Sequence, residues 1–521
     1  MTTAVLAHDR IKDFDWAPSY VPGSTRYPTK FKIPGKTKDP FRTLVREYLS
    51  MEQEKDERQY GALEDVLSRT GAAARSDRGW MEALKLVLPM LVYAEYGAMK
   101  NMAQLVETVD NPELRQGYLT QALDEQRHVN QELYLLRHFA RHAEDSEGFD
   151  RGMRVRGSNV FGRASRCCFE NYFVNDPIES AITLSVVTET AYTNPLFVPL
   201  TEVAAFNGDD VTPGVFLSIQ SDEARHMANG YSTLAAVLSV DENLPLAQEA
   251  FDRAFWCQHA FLDPLLGALY MYFTPQRINY VEKWQEWIVD DWVSGYIAKL
   301  ERFGLKIPKH FAHAAERLQW LPHTAAMVGA ATWPFHWWRF PGLDERGMEW
   351  MEQQFPGWHA IYGSFWEGYR ALQDPKAGMI PFQAFPAAPP LCRVCAMPTV
   401  FPHPGAPTAR VVEHAGRLHA FCSQPCQEIF DNCPERYLQM RAFDEIFDGW
   451  GLDEYIVKNG LLRADGRTLV AQPHVDDTKP MWTIDDIAKL GVEIVDPLRV
   501  LAAQNAGAAD DSAAPTDGSE G

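Results

Sequence analysis

The sequence Asp124-Glu125-Gln126-Arg127-His128 recurs almost unchanged as Asp222-Glu223-Ala224-Arg225-His226, about a hundred residues further along the chain. Each copy places a glutamate and a histidine three positions apart. On an α-helix, this spacing brings both side chains to one face, about one turn apart. A single glutamate interrupts an apolar run before each copy, Glu95 before the first and Glu189 before the second. The chain therefore contains a glutamate followed by Glu-x-x-His twice.

This repeated pattern supplies four carboxylates and two imidazoles from four helices, which is the ligand set of a di-iron carboxylate centre in a helix bundle. Two ferrous ions balance four carboxylate charges, so the centre can be buried. Carboxylate and imidazole suit iron or manganese, and no thiolate accompanies them to favour zinc. One such glutamate alone is more often an ordinary helix residue, but one four-helix core accounts for all six. The predicted iron ligands are Glu95, Glu125, His128, Glu189, Glu223 and His226.

Length and charge narrow the classes of function. The chain has 521 residues and is 46% hydrophobic, enough for one large core with smaller appended units. Its net charge of −21 argues against nucleic acid or an anionic membrane as a partner. No signal-peptide pattern is visible, and the most apolar run, 84–99, is interrupted and too short to span a bilayer. We expect a soluble, cytoplasmic protein.

Composition divides the chain into six segments. We predict an extended N-terminal arm (1–45), a ferritin-like di-iron helical domain (46–345), an aromatic helical segment and linker (346–390), a four-cysteine zinc-type module (391–440), a C-terminal α/β segment (441–505) and a disordered tail (506–521). The predicted fold class is mainly α. It has a ferritin-like four-helix di-iron bundle as its core, with extra helices, a small C-terminal Cys-rich zinc module and a mixed α/β tail.

Prolines predict where several helices begin and end. Thr212 is predicted to be the N-cap, and Pro213 the first residue, of the helix that carries the second motif. Pro195 is predicted to end or kink the helix of Glu189. Long helices are also predicted over 243–273 and 275–303. The aromatic residues between 332 and 370 are predicted to pack in a core or at a subunit interface.

Four cysteines near the C-terminus have the spacing of metal ligands. Two residues separate the first pair and three separate the second, with a hairpin-like stretch between the pairs. Four thiolates in this arrangement favour tetrahedral structural zinc, with a metal-free module or a redox pair as alternatives. The predicted zinc ligands are Cys392, Cys395, Cys422 and Cys426. The histidines that could replace one of them are His403, His414 and His419, and Cys433 is left over.

These motifs resemble those of the large (alpha) subunit of the soluble di-iron monooxygenase hydroxylases, bacterial multicomponent enzymes that oxidise methane, propane, alkenes, phenol and toluene. The resemblance is carried by Glu95, by both five-residue motifs, by Glu189-Thr190-Ala191-Tyr192-Thr193-Asn194 and by the stretch 207–222. The segments 51–56 and 466–474 are most similar to the propane and other short-chain alkane members.

The resemblance implies roles for the motif residues. One iron would be bound by Glu95, Glu125 and His128, and the other by Glu189, Glu223 and His226, with some carboxylates bridging. The aspartates that open the motifs, Asp124 and Asp222, would hydrogen-bond the ligand histidines across the pair. Thr193 matches a threonine that assists proton delivery, and the alternative is a hydroxyl bonded to a backbone carbonyl at a helix bend.

Two departures from the methane members bear on the substrate pocket. Glu132 stands in place of a cysteine, where it would hydrogen-bond a ligand or water or set the polarity of the pocket. Cys168 stands in place of a phenylalanine, which indicates a roomier cavity and favours propane or larger substrates over methane. The residues expected to line the pocket are Leu91, Cys168, Tyr172, Tyr192, Leu196, Phe197, Phe216 and Ile219.

The resemblance implies the hydroxylase component of a monooxygenase that inserts one atom of O₂ into a small hydrocarbon, with propane or a similar short-chain alkane favoured. The chain carries no dinucleotide, flavin or ferredoxin motif, so electrons from NADH require a separate flavin and iron–sulfur reductase. The other implied partners are a hydroxylase beta subunit, with or without a third small subunit, and a coupling (regulatory) protein, in a dimer of protomers. The alternatives are an alkene epoxidase or a phenol (aromatic) hydroxylase of this family, an iron-storage ferroxidase, a ribonucleotide-reductase-like radical subunit, and a scaffold whose zinc module binds a partner.

Overall fold

The computed structural model describes residues 54, 75–169, 176–371, 389–399, 402–406, 410–439, 441–471 and 481–512. The predicted N-terminal arm and the predicted pocket residue Tyr172 lie outside these ranges. The chain forms two compact units. The first comprises 1–157, 169–258 and 266–311, and the second comprises 158–168, 259–265 and 312–521. Among the described helices, none combines the length and the apolar character that crossing a bilayer requires.

The described residues are mainly helical, as predicted. In chain order the α-helices are α1 (Arg78–Thr108), α2 (Pro112–His142), α3 (Ser146–Val155), α4 (Val160–Phe169), α5 (Pro177–Ala181), α6 (Thr193–Phe206), α7 (Thr212–Val237), α8 (Leu244–Tyr272), α9 (Tyr280–Trp284), α10 (Ala298–Leu300), α11 (Phe311–Arg317), α12 (Leu321–Ala331), α13 (Glu345–Gln354), α14 (Ser364–Ala371), α15 (Gln424–Asn432), α16 (Pro434–Leu438), α17 (Phe443–Phe447), α18 (Leu452–Lys458), α19 (Ile484–Leu490) and α20 (Pro497–Ser512). Three segments are π-helical: π1 (Ile182–Tyr192), π2 (Gln285–Ile297) and π3 (His359–Gly363).

Four long helical segments form the core of the first unit. α1 packs along α2, and α7 packs against α2, π1 and α6. The facing surfaces are apolar, and α1 alone buries Leu84, Leu88 and Val92. Burial of such side chains contributes roughly 1.5–3 kcal/mol each. This arrangement is the predicted ferritin-like four-helix bundle.

The start of α7 differs by one residue from the prediction. The N-cap is Val211 rather than Thr212, and Thr212 is the first helical residue. The side chain of Asp209 accepts hydrogen bonds from the backbone N–H groups of Val211 (2.9 Å) and Thr212 (3.0 Å). Because Asp209 already satisfies these free N–H groups, no capping hydroxyl is needed at Thr212.

Pro195 does not end the helix of Glu189, so that alternative was wrong, and the other alternative, a kink at the proline, stays a prediction. The irregularity lies before the proline, where π1 has a wider turn, and the chain then continues as α6 to Phe206. Pro195 is the third residue of α6, which follows π1 without a break in the helical run. The predicted helix over 243–273 corresponds to α8, and the one over 275–303 begins at Tyr280.

The second unit contains the aromatic stretch and the cysteine pairs. Trp333, Trp337, Trp338 and Trp366 are fully buried. The indole of Trp333 meets that of Trp482 edge to face, with ring centroids 5.9 Å apart. These residues are therefore core packing, one of the two alternatives predicted for them.

The C-terminal part of the second unit is a hairpin followed by short helices. β1 (Arg410–His414) pairs antiparallel with β2 (Arg417–Phe421). Ala415 and Gly416 between the strands both have positive φ, as a two-residue hairpin turn requires. In the predicted mixed α/β tail, β structure among the described residues is limited to isolated bridges. The alanine-rich helix α20 continues to Ser512, past the predicted start of the disordered tail at residue 506.

Candidate metal centre

The structure brings all six predicted iron ligands together inside the first unit. The imidazole rings of His128 and His226 lie with their centroids 5.6 Å apart. The carboxylates surround them, and five of the six side chains are buried while Glu95 is half-buried. Their positions are Glu95 on α1, Glu125 and His128 on α2, Glu189 on π1, and Glu223 and His226 on α7.

Two of the carboxylates face both imidazoles. Glu125 points Oε2 to Nδ1 of His128 at 3.5 Å and Oε1 to Nδ1 of His226 at 3.6 Å. Glu223 does the same with distances of 3.8 Å and 3.1 Å. Glu95 lies 3.4 Å from the first imidazole nitrogen, and Glu189 lies 3.7 Å from the second. We call these six residues the cage. The cage has two carboxylates between the histidines and one carboxylate beside each histidine.

The donor atoms fit divalent cations. Nδ1 of His128 is buried and has no hydrogen-bond partner among the described residues, although three carboxylates surround it. Metal–ligand bonds of about 2.0–2.2 Å separate two donors of one ion by roughly 3.0–3.5 Å. The observed distances of 3.1–3.8 Å between imidazole nitrogens and carboxylate oxygens are close to this range. Such a set of oxygen and imidazole donors suits iron or manganese.

The two motifs hold each other across the bundle. Asp222 of the second motif lies 3.1 Å from Nε2 of His128, and Asp124 of the first lies 3.5 Å from Nε2 of His226. Each motif arginine also pairs with the aspartate of the other copy. Arg127 forms an ion pair with Asp222, and Arg225 lies 3.0 Å from Asp124. Each imidazole thus presents Nδ1 to the cage while its Nε2 faces an aspartate.

Burial and crowding determine how the cage is charged in the absence of metal. Burial raises the pKa of Glu95 to about 7 and that of Glu125 to about 8. Burial would also raise the pKa of Glu189, but hydrogen bonds from Glu223 and His226 outweigh it and lower the value to about 2. Burial opposes the charge on His226, yet the nearby carboxylates of Glu125 and Glu223 raise its pKa. Protons therefore occupy part of the cage until cations replace them.

An amide network, missed in the sequence, lies beside the cage, and only Gln121 within it contacts the cage carboxylates. Gln121 donates from Nε2 to Oε1 of Glu125 at 3.0 Å and to Oε1 of Glu189 at 3.3 Å. Asn229 in turn donates to the amide oxygen of Gln121 at 2.9 Å. The available signal was the position of Gln121 one turn before Glu125 on the same helix face. Its link to Asn229 on another helix had no signal in the sequence.

Two further predicted residues lie close to the cage. The hydroxyl of Thr193 donates to Oε2 of Glu189 at 3.4 Å, a long hydrogen bond to a carboxylate rather than to a backbone carbonyl. Glu132 is completely buried, and neither carboxylate oxygen has a hydrogen-bond partner among the described residues. Burial, followed by the charges of Glu95 and Glu125, raises the pKa of Glu132 well above its ordinary value.

The predicted pocket residues are placed less completely. In the first unit, Leu91, Tyr192 and Ile219 are buried. Phe197 and Phe216 are also buried and stack with ring centroids 5.2 Å apart. The remaining two described residues are Leu196, which is half-buried, and Cys168, which is buried in the second unit. Their roles in substrate binding stay predictions.

The four predicted zinc ligands form one buried cluster in the second unit. Sγ of Cys422 lies 3.5 Å from that of Cys395 and 3.6 Å from that of Cys426, and Cys392 completes the group. Zinc–sulfur bonds of about 2.3 Å separate the sulfurs of a tetrahedral site by roughly 3.8 Å. No disulfide joins the four cysteines to one another or to another described residue, and no described histidine joins the cluster. The buried guanidinium of Arg317 lies 3.6 Å from Sγ of Cys422.

Comparison with known proteins agrees with this geometry. A family model described as methane/phenol/alkene hydroxylase matches residues 16–241. The chain is 34% identical to the methane monooxygenase component A alpha chain of Methylococcus capsulatus, over 94% of each chain. It is 33% identical to the large subunit of the hydroxylase component of propane 2-monooxygenase from Rhodococcus jostii, over 92% of each chain. A crystal structure of phenol hydroxylase from Pseudomonas sp. OX1 superposes with a TM-score of 0.70 at 25% identity, covering 78% of this chain and 84% of that one.

These matches span nearly the whole chain and include the bundle that carries the cage. They decide against the iron-storage, ribonucleotide-reductase-like and scaffold alternatives. The chain therefore belongs to the methane, phenol and alkene hydroxylase family, as the large (alpha) subunit of the hydroxylase of a multicomponent di-iron monooxygenase.

Proposed function

We propose that the six cage residues bind two iron ions and that this hydroxylase inserts one atom of O₂ into a small hydrocarbon, with propane or a similar short-chain alkane favoured. The observation that carries the proposal is the placement of Glu125 and Glu223. Each directs one oxygen to each imidazole, as expected of carboxylates that bridge two ions. Glu95 and Glu189 would each complete the ligand set of one ion.

When bound and supplied with two electrons and O₂, the iron pair would provide the oxidising power that an unactivated C–H bond requires. The chain contributes geometry and dryness. Asp222 and Asp124 keep the Nδ1 atoms of the two histidines turned to the cage. The stacked rings of Phe197 and Phe216 provide apolar surface in the first unit that would exclude water. The Thr193 hydroxyl, which donates to Oε2 of Glu189 at 3.4 Å, would exchange a proton with that carboxylate.

The preference for a short alkane rests on sequence. The segments 51–56 and 466–474 are most similar to the propane members, and Cys168 stands where a bulkier phenylalanine would narrow the cavity. Identity to the methane and propane relatives is nearly equal, at 34% and 33%, so identity does not separate these substrates. Alkene epoxidation and phenol hydroxylation are the competing activities within the family.

The proposed partners follow from what the chain lacks and from its relatives. Electrons from NADH would arrive through a separate flavin and iron–sulfur reductase, because the sequence carries no motif for either cofactor. A hydroxylase beta subunit and a coupling protein would complete the system, with the hydroxylase as a dimer of protomers. We also propose that the four-cysteine cluster binds structural zinc, on the basis of its sulfur spacing.

The test is the substitution Glu125→Ala, which removes the carboxylate that faces both histidines. We expect loss of iron and of turnover, with the helical circular dichroism retained. The matched control is Glu107→Ala on α1, where the glutamate is exposed. Activity is measured with reductase, coupling protein and NADH on methane, propane, an alkene and phenol. Iron content and turnover retained in Glu125→Ala would contradict the assignment, and fastest coupled turnover on phenol would contradict the substrate.

A further inference from the structure

A groove of about 400 Å³ lies between α2 and α7 on the first unit. Its rim includes the exposed Glu113 and Arg225, and its floor includes the buried Gln121 and His226. Asp124 also lines it, with its side chain 15% exposed. The groove thus leads from the surface to residues that belong to the cage or touch it.

One layer of amide groups separates this groove from the carboxylates. Gln121 donates to Glu125 and Glu189, and its own oxygen is held by Asn229, which also lines the groove. Gly117 makes room for this arrangement, because a Cβ at that position would lie 2.4 Å from Oδ1 of Asn229. The Gln121 amide donates to Oε1 of Glu125, the same oxygen that faces His226. A cation that reaches this oxygen must therefore displace or bypass the Gln121 amide.

We propose that this groove is the route by which divalent cations reach the cage, and that the amide pair Gln121–Asn229 is its inner gate. The inference rests on the proposed metal site. A hydrated iron(II) or manganese(II) ion exchanges water for oxygen donors step by step, and the groove offers such donors at the rim, the wall and the floor. The guanidinium of Arg225, which lines the groove, is held by Asp124 and Asp222.

A substitution at Asn229 tests the proposed gate without altering the proposed metal ligands. The Asn229 side chain donates to Gln121 and forms no hydrogen bond with any of the six proposed ligands. Asn229→Ala should therefore free the gate while leaving the cage intact. Loss of one amide hydrogen bond of typical strength predicts about fivefold faster uptake and release. Ala228→Trp, at an exposed position that lines the groove, should obstruct the route and slow both processes.

The probe is manganese(II), which thiolates bind poorly, so the four-cysteine cluster does not interfere. The metal-free full-length chain, assembled with its partner subunit, is mixed with the ion. Uptake is followed by loss of the free-ion EPR signal, and release by transfer to a chelator. The matched control is Asn194→Ala, because Asn194 also forms an amide–amide hydrogen bond (with Gln220, 3.3 Å) but does not line the groove.

The expected result is faster exchange in Asn229→Ala, slower exchange in Ala228→Trp, and wild-type exchange in Asn194→Ala, with the dissociation constant unchanged in all three. Wild-type exchange rates in both Asn229→Ala and Ala228→Trp would overturn the inference. Faster uptake in Asn194→Ala would also overturn it, as would a larger dissociation constant without faster uptake in Asn229→Ala. If the unsubstituted chain failed to bind two manganese ions, the proposed metal site itself would fail, an outcome distinct from the others.

Discussion

Gly230 of α7 lies against the backbone of Ser185 in π1, and Gly230→Ala would force these helices apart. A Cβ at this position would lie 2.1 Å from the backbone oxygen of Ser185 and 2.6 Å from its carbonyl carbon. Ordinary contact begins at 3.4 Å, so the local backbones must separate by roughly 1.3 Å. Backbone atoms, unlike the end of a flexible side chain, cannot rotate away. We therefore expect a loss of about 1–3 kcal/mol in the free energy of unfolding, typical of overpacking.

Separation of these helices should also move proposed metal ligands apart, because α7 carries Glu223 and His226 and π1 carries Glu189. A shift of about 1 Å in reacting groups can lower turnover roughly a hundredfold. The assay compares thermal unfolding, iron content and coupled turnover of Gly230→Ala with those of Gly214→Ala on the same helix. A Cβ at Gly214 meets nothing within 4 Å, so this control should be neutral or more stable by up to about 1 kcal/mol. Wild-type stability and turnover in Gly230→Ala would refute the close contact between α7 and π1.

Three further predictions concern the titration of the cage, its support and the cysteine cluster. Burial raises the pKa of Glu95 and Glu125 above the unfolded value of 4.5, to about 7 and about 8, so the metal-free fold should lose stability as pH rises from about 4.5 to 8. Metal affinity should rise over the same pH interval, because metal binding displaces these protons. Calorimetry in buffers of different ionisation enthalpy measures the number of protons released. Metal uptake without proton release would contradict the prediction. Asp222→Asn removes the charged acceptor beside Nε2 of His128 and should weaken iron binding about 10–100-fold. Chelator competition measures this affinity, and an unchanged affinity would be the contrary result. Cys422→Ser should lower the zinc content found by elemental analysis, whereas Cys433→Ser, outside the cluster, should not; equal zinc in both would contradict the assignment.

Several features were predictable because they are local. A helix turns once every 3.6 residues, so Glu125 and His128 had to share a face wherever α2 was placed. The need to neutralise buried carboxylates then indicated metal ions. The cysteine spacing indicated one cluster, and the hairpin was visible from its turn. The helix of Glu189 was predicted to end or kink at Pro195; it does not end there, and the wider turn of π1 precedes the proline.

Contacts between distant segments were decided only by tertiary structure. Asn229 reaches Gln121 across 108 positions, Arg317 reaches Cys422 across 105, and Gly230 meets the backbone of Ser185. Each contact depends on the register and separation of two packed elements, which no local pattern encodes. The sequence alone therefore identified the groups that would hold the metals. Packing alone determined the amide network beside the cage and the groove between α2 and α7. Both exist only because separate helices pack in a particular register.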